Sequence, residues 1–162
     1  VRKYNLDAIY RRDIVSAVQN YFEFYDYYKI FGGKREEPIE LKTENYWLYG
    51  IVDWLITPEK GFLIIDHKTA KKVDRERHIF QMKMYGLILS KLKNIPADFI
   101  KYLIYYPRLN YKDEFSVSND EILKVEDFII NKIKEIESCT EWPAKKSFLC
   151  QWCSYFNSPY CK

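Results

Sequence analysis

No apolar run in this 162-residue sequence approaches the ~20 residues needed to cross a bilayer, which excludes a membrane-spanning helix. There is no internal repeat, so solenoids and propellers are set aside. A low-complexity tract or Ser/Gly-rich linker is also missing, which argues for one domain rather than tethered parts. The opening stretch VRKYNLDAIYRRD lacks the layout of a signal peptide, and Val1 stands where Met would start a chain; the expectation is a fragment or trimmed chain from a cytoplasmic setting. Histidine is absent before His67, and cysteine is absent before Cys139.

What is present is the composition of a soluble globular protein, 48% hydrophobic and 30% charged, in a length that suits a single core. The net charge of +3 and pI near 8.5 are weaker than the basic balance that announces a nucleic-acid binder by itself. The distribution says more. Lys68, Lys71, Lys72, Arg75 and Arg77 crowd one short segment against only Asp74 and Glu76. Such a run is a solvated face as readily as a contact for phosphates.

Apolar residues at helical spacing (Ile9, Val15, Val18, Phe22, Tyr25) predict a long first helix over about Leu6 to Ile30, stopped by Gly32 and Gly33. PIELKTENYWLYGIVDWLIT reads as two strands around a turn at KTEN, and GFLIIDHKT as a third after the turn PEKG. HIFQMKMYGLILSKLK has helical periodicity with Gly86 as a blemish, and DFIKYLIYY reads as a fourth strand. Ser118 and Glu121 form a capping box for a last helix whose buried stripe is Ile122, Val125, Ile129, Ile133 and Ile136. The order helix, three strands, helix, strand, helix predicts an α/β mixed sheet flanked by helices.

The run Phe62 to Ile65 reads as a strand buried on both faces, yet it ends on Asp66, His67 and Lys68. Charge in such a place is costly unless it is paired or bound to a metal. If PEKG is the loop, Thr57 pairs with Phe62; paired residue numbers then add to 119, and Asp53 falls opposite Asp66. Like charges opposed across antiparallel strands repel. Alternation puts Lys68 on the side of Asp66 and sends the His67 ring to the other side, leaving the His67 carbonyl available to a metal. Lys68 alone offsets one of two anions, which points to a divalent cation, and hard oxygen ligands favour Mg²⁺ or Mn²⁺ over Zn²⁺. Such a centre suits phosphodiester hydrolysis: the metal polarises a phosphoryl oxygen and acidifies a bound water, and Lys68 orients that water or offsets charge on the phosphate.

GIVD (50–53), IIDHKT (64–69) and QMKMY (81–85) together resemble the PD-(D/E)XK nuclease superfamily, and more narrowly the RecB/AddB-like nuclease domains and the CRISPR-associated iron-sulfur exonucleases. The resemblance implies a restriction-endonuclease-like sheet and a metal-dependent DNA nuclease, an exonuclease on single strands or duplex ends in DNA processing, repair or recombination. It implies Asp53 and Asp66 (with His67) at the metal, Lys68 as the catalytic lysine, and Gln81 and Tyr85 lining the site from the next helix. Lys71, Lys72, Arg75 and Arg77 become the expected DNA-binding residues, and helicase, recombination or CRISPR proteins the expected partners. Glu37 and Glu40 are read as structural. The family often carries a metal-binding histidine on a helix before the first strand; none stands here, and truncation is the expected cause.

Cys139, Cys150, Cys153 and Cys161 fall within the last 24 positions. Disulfides suit secretion, and a thioredoxin-like use of CQWC lacks its strand-to-helix context, so metal ligation is the better account. Spacing leaves Zn²⁺ and an iron-sulfur cluster open. The resemblance implies a [4Fe-4S] cluster on Cys150, Cys153 and Cys161, with Cys139 either a fourth ligand or a bystander. Trp142, Phe148, Trp152, Tyr155, Phe156 and Tyr160 would pack over the metal or stack on single-stranded bases. The expected organisation is a nuclease core over 1–138 and a cysteine-rich tail over 139–162. Two rivals stand beside the nuclease: a non-catalytic DNA-binding or assembly module, and a structural zinc module that binds another protein.

Overall fold

Phe24 and Tyr28 anchor helix α1 (Ala8–Tyr28) to the sheet in this computed structural model, which describes residues 8–159 and 161. Phe24 stacks on Tyr105 with ring centroids 3.9 Å apart and meets Trp54 edge-on. Together with Ile56, Ile65 and Leu103 these rings form one face of the core. The helix therefore buries a face different from the expected one: Val15, Val18 and Phe22 are exposed. The periodicity was helical, but aromatic stacking on Tyr105 and Trp54 outweighs the aliphatic stripe. Leu6 and Tyr160 lie outside the described residues, as does the Ile9 side chain.

Five strands follow the order β1-β2-β3-β4-β5 in one sheet. They are β1 (Lys34–Lys42), β2 (Trp47–Ile56), β3 (Phe62–His67), β4 (Ile100–Tyr106) and β5 (Tyr111–Ser116). All neighbours are antiparallel except β3 and β4, which run parallel and are linked through helix α2 (Arg75–Lys93). Among the described residues the fold is thus an α/β mixed sheet with three α-helices, the last being α3 (Asn119–Ser138). Strand β5 has no counterpart among the four expected strands. It is an edge strand reading YKDEFS, and the one buried side chain in it is Asp113, so it shows no apolar alternation to detect.

On the face opposite α1, α2 buries Met82, Tyr85 and Leu89. Gly86 is required rather than tolerated: a Cβ there would stand 1.9 Å from Tyr102 Oη. Ser118 N–H and Oγ both bond Glu121 Oε2 (3.0 and 3.1 Å), and Glu121 N–H returns to Ser118 Oγ, which forms the expected capping box of α3. Among the described residues no helix is long and apolar enough to cross a membrane.

The chain divides into two compact units, Val1–Ile130 and Asn131–Lys162. The first holds the sheet, α1, α2 and the start of α3, where Ile122, Val125 and Ile129 are buried; Ile133 and Ile136 belong to the second. That second unit continues past α3 into a stretch without regular structure and a 3-10 helix, Phe148–Trp152, capped by Ser147.

Candidate active site

The three ladder pairs of β2 and β3 are Trp54 with Ile65, Leu55 with Ile64 and Ile56 with Leu63. Each adds to 119, the register given by the PEKG turn, and Asp53 and Asp66 occupy its next step. The ladder stops there for a visible reason. Lys68 N–H bonds the Tyr105 carbonyl on the β4 side at 2.9 Å, so the amide one residue earlier points toward β2. It is met by a side chain: His67 N–H donates to Asp53 Oδ2 at 2.7 Å.

Asp53 sits where the β1–β2 hairpin turns over. A Cβ on Gly50 would meet Tyr85 of α2, whereas Trp54, of the same parity, packs against Phe24 of α1. On the partner strand Ile39 lies beside Gly50, while Arg35 lies over the rings of Tyr25 and Trp54 at 4.2 and 4.4 Å. The β1–β2 register adds to 89 on both sides of this point. Glu36, the residue opposite Asp53 in that register, has φ 46°, a left-handed conformation that absorbs the reversal. The Asp53 carboxylate therefore lies near the sheet plane. The two aspartates do not simply share a face, as strict alternation had implied.

Asp66 is 1% exposed, and Lys68 Nζ lies 2.8 Å from its Oδ2. That contact is an ion pair rather than an aligned hydrogen bond, since among the described residues Oδ2 has no hydrogen-bond partner. Lys68 Nζ also donates to Gln81 Oε1 at 3.1 Å. Gln81 Nε2 donates to Tyr85 Oη at 2.7 Å, and Tyr85 Oη donates to the Ile51 carbonyl at 2.8 Å. Asp66, Lys68, Gln81 and Tyr85 thus form one continuous chain, with both α2 members on one helical face.

Burial pushes the Asp66 carboxyl up, the Lys68 ammonium pulls it back, and the Asp53 charge raises it again; the net direction is up. Burial also acts to raise Asp53, but the hydrogen bonds from His67 and the charges of His67 and Lys68 prevail and hold it below its usual value. The Asp53 charge is thus one of the causes that raise Asp66, the direction a neighbouring carboxylate gives.

The His67 ring does turn to the α1 side, edge-on to Tyr21, Phe24 and Tyr105. It nevertheless stays close to a carboxylate, with Nδ1 3.5 Å from Asp53 Oδ2. A cavity of about 320 Å³ is lined by Tyr21, Arg35, Glu36, Asp53, Trp54 and His67. Two residues at the site carry no role from the sequence. Glu36 was detectable only through the β1–β2 register. His78 was detectable through its spacing of three from Gln81 on α2; it senses Lys68 and Asp66, and burial followed by the Lys68 charge lowers it below its usual value.

The basic segment is divided. Arg75 binds the buried Asp113 through Nε and Nη2, Lys71 lies 3.3 Å from Asp13, and Lys72 and Arg77 are exposed. At the other end of the chain the four cysteines carry free thiols. Cys139 Sγ donates to the Glu141 carbonyl and Cys150 Sγ accepts from Ser147 N–H. Among the described residues no three His, Cys, Asp or Glu side chains stand together as metal ligands. As placed, the cysteines are not a ligand set for a cluster or for zinc, and no chemistry is derived through either. The aspartate pair does fit a hard divalent ion: Mg²⁺ is held by one or two carboxylates with water completing its shell, and Asp66 Oδ2 is a buried acceptor without a hydrogen bond.

A family model for the PD-(D/E)XK nuclease superfamily matches residues 8–161, and the chain belongs to that superfamily. A structure from Eubacterium rectale described as a "Putative exonuclease" is similar, with TM-score 0.51 and 10% identity over 92% of this chain and 67% of that one. SSO0001 is similar at TM-score 0.42 and 15% identity, over 92% of this chain and 71% of its own. The first likeness is one of fold. No curated protein matches.

Proposed function

We propose that the chain is a divalent-metal-dependent DNA nuclease that acts as an exonuclease, with Asp53, Asp66 and Lys68 at its centre. The observation that carries this reading is the ordered chain from Asp66 through Lys68 and Gln81 to Tyr85, beside Asp53, in a member of a nuclease superfamily. Asp53 and Asp66 would hold Mg²⁺ or Mn²⁺. When bound, that ion supplies a Lewis acid for the phosphoryl oxygen and a more acidic water.

The protein's own part is positioning and charge. Gln81 Oε1 and Asp66 Oδ2 hold the Lys68 ammonium, and its remaining donor capacity would serve a phosphate brought to the site. Asp53, kept ionised by its contacts with His67 and Lys68, remains an anionic ligand. Exonuclease action is the finer part of the proposal, and the description of the Eubacterium rectale fold relative supports it. The cysteine-rich end stays outside this reading: its C-x-x-C spacing suits a [4Fe-4S] or zinc site, but among the described residues its thiols do not stand together as ligands, and metal analysis of the purified protein decides between spacing and placement.

End-labelled DNA incubated with Mn²⁺ is degraded stepwise from an end by the wild type, and Lys68→Ala loses that activity by about 10³-fold. Equal activity in both proteins removes Lys68 from the chemistry. Salt-sensitive DNA binding without cleavage in any divalent metal would assign the non-catalytic binding role instead.

A further inference from the structure

Helix α1 leaves apolar side chains in water beside the candidate site. Ile14, Val15, Val18 and Phe22 are 44%, 54%, 47% and 58% exposed. Ile14, Val18 and Phe22 line a groove of about 580 Å³ whose other walls include Tyr21, His67 and Arg108. Its size falls in the range of roughly 300–1,000 Å³ typical of small-ligand clefts. A continuous apolar patch of this kind marks a contact surface.

We propose that this groove receives an unpaired nucleobase of the DNA strand whose phosphate is presented to Asp53, Asp66 and Lys68. The inference rests on the nuclease reading and adds a strand preference to it. Tyr21 and His67 line both the groove and the cavity that contains Asp53, so the two adjoin across those side chains. Any occupant of the groove sits against the walls of the carboxylate centre and must coexist with the substrate there; the substrate strand meets that condition itself. The charge at the rim suits a polyanion: Arg108 and Lys71 both pair with Asp13, two cations to one anion. An intact duplex turns phosphates and base edges outward, whereas an unpaired base offers the flat apolar face that Phe22, Val18 and Tyr21 complement.

The test uses the whole chain in EDTA, at one fixed salt concentration, so that binding is read without cleavage. The probes are a fluorescent 12-nucleotide single strand, the same strand with three abasic residues at one end, and a blunt duplex. Wild type binds the intact strand about tenfold more tightly than the abasic one. Val18→Ser and Phe22→Ser, both at exposed positions, lose about tenfold on the intact strand and keep wild-type affinity for the abasic strand and the duplex. Equal wild-type affinity for intact and abasic strands, or variants that bind as wild type, overturns the assignment. Concentration-dependent dimerisation abolished by Phe22→Ser with DNA binding unchanged assigns the groove to a second copy and overturns it as well. Mn²⁺- and Lys68-dependent cleavage is measured in parallel. If it persists while the groove variants bind normally, the groove assignment fails alone; if wild type never cleaves, the nuclease reading fails, and the groove is judged on base-dependent binding.

Discussion

Tyr85 orients Gln81. Because Tyr85 Oη donates to the Ile51 carbonyl, it can only accept from Gln81, and the amide Nε2 fills that role. The amide oxygen is therefore turned to Lys68. Tyr85→Phe removes the acceptor and frees the amide to present its NH₂ to an ammonium. Its kcat for DNA cleavage should fall about tenfold, the size of one hydrogen bond to a charged group, with Mn²⁺ affinity unchanged. Steady-state kinetics beside a metal titration checks both.

Lys68 also acts on the buried Asp66, whose carboxyl burial raises and the ammonium draws back down. Lys68→Ala leaves that carboxylate unpaired with its side chain 2% exposed, which should cost about 2–4 kcal/mol in urea unfolding. Asp66→Asn combined with Lys68→Ala should recover at least half of the loss, because no charge is then stranded.

Gly86 and Tyr102 form a steric pair. Gly86→Ala brings a methyl group within 1.9 Å of Tyr102 Oη, in a buried place where that hydroxyl has no hydrogen-bond partner. The expected loss is about 1–3 kcal/mol from overpacking. Tyr102→Phe alone should be close to neutral, since it removes an unsatisfied group, and in combination it should rescue Gly86→Ala. Thermal melts of the four proteins test the coupling.

The cap of α3 titrates. The Ser118 N–H, then the Lys83 side chain, hold Glu121 at about 2, against a usual 4.5. A depressed carboxyl stabilises the fold above its unfolded value, so the contribution is complete above about pH 4.5 and is lost as pH falls toward 2. Glu121→Gln should lower Tm at pH 6 by an amount corresponding to about 1 kcal/mol, typical of a cap, and match wild type at pH 2. Glu121 is 42% exposed, so solvent screens the Lys83 contact and the cap carries most of the effect.

Much of the site was legible because it depends on local rules. The PEKG turn sets the β2–β3 register as far as Trp54 and Ile65, one step short of Asp53 and Asp66. Helical spacing puts Gln81 and Tyr85 on one face, and the Ser118–Glu121 box marks the start of α3. The rest depends on features that do not follow local patterns. Alternation was carried through Asp53, but the hairpin turns over there, and the left-handed backbone that permits it falls on Glu36 rather than on a glycine. Strand β5 is held by pairing with β4 and by the Arg75–Asp113 contact, neither of which leaves an apolar signature. The buried face of α1 was chosen by its aromatic partners on the sheet, which lie far away in sequence.

Anomalous diffraction from crystals of the whole chain grown or soaked with Mn²⁺ is the most direct test of the metal centre. The expected result is a strong peak coordinated by the Asp53 and Asp66 carboxylates, with Lys68 still held by Gln81, and no such peak in Asp66→Asn. Manganese bound elsewhere with nothing between those two carboxylates, or a peak that survives Asp66→Asn unchanged, would contradict it.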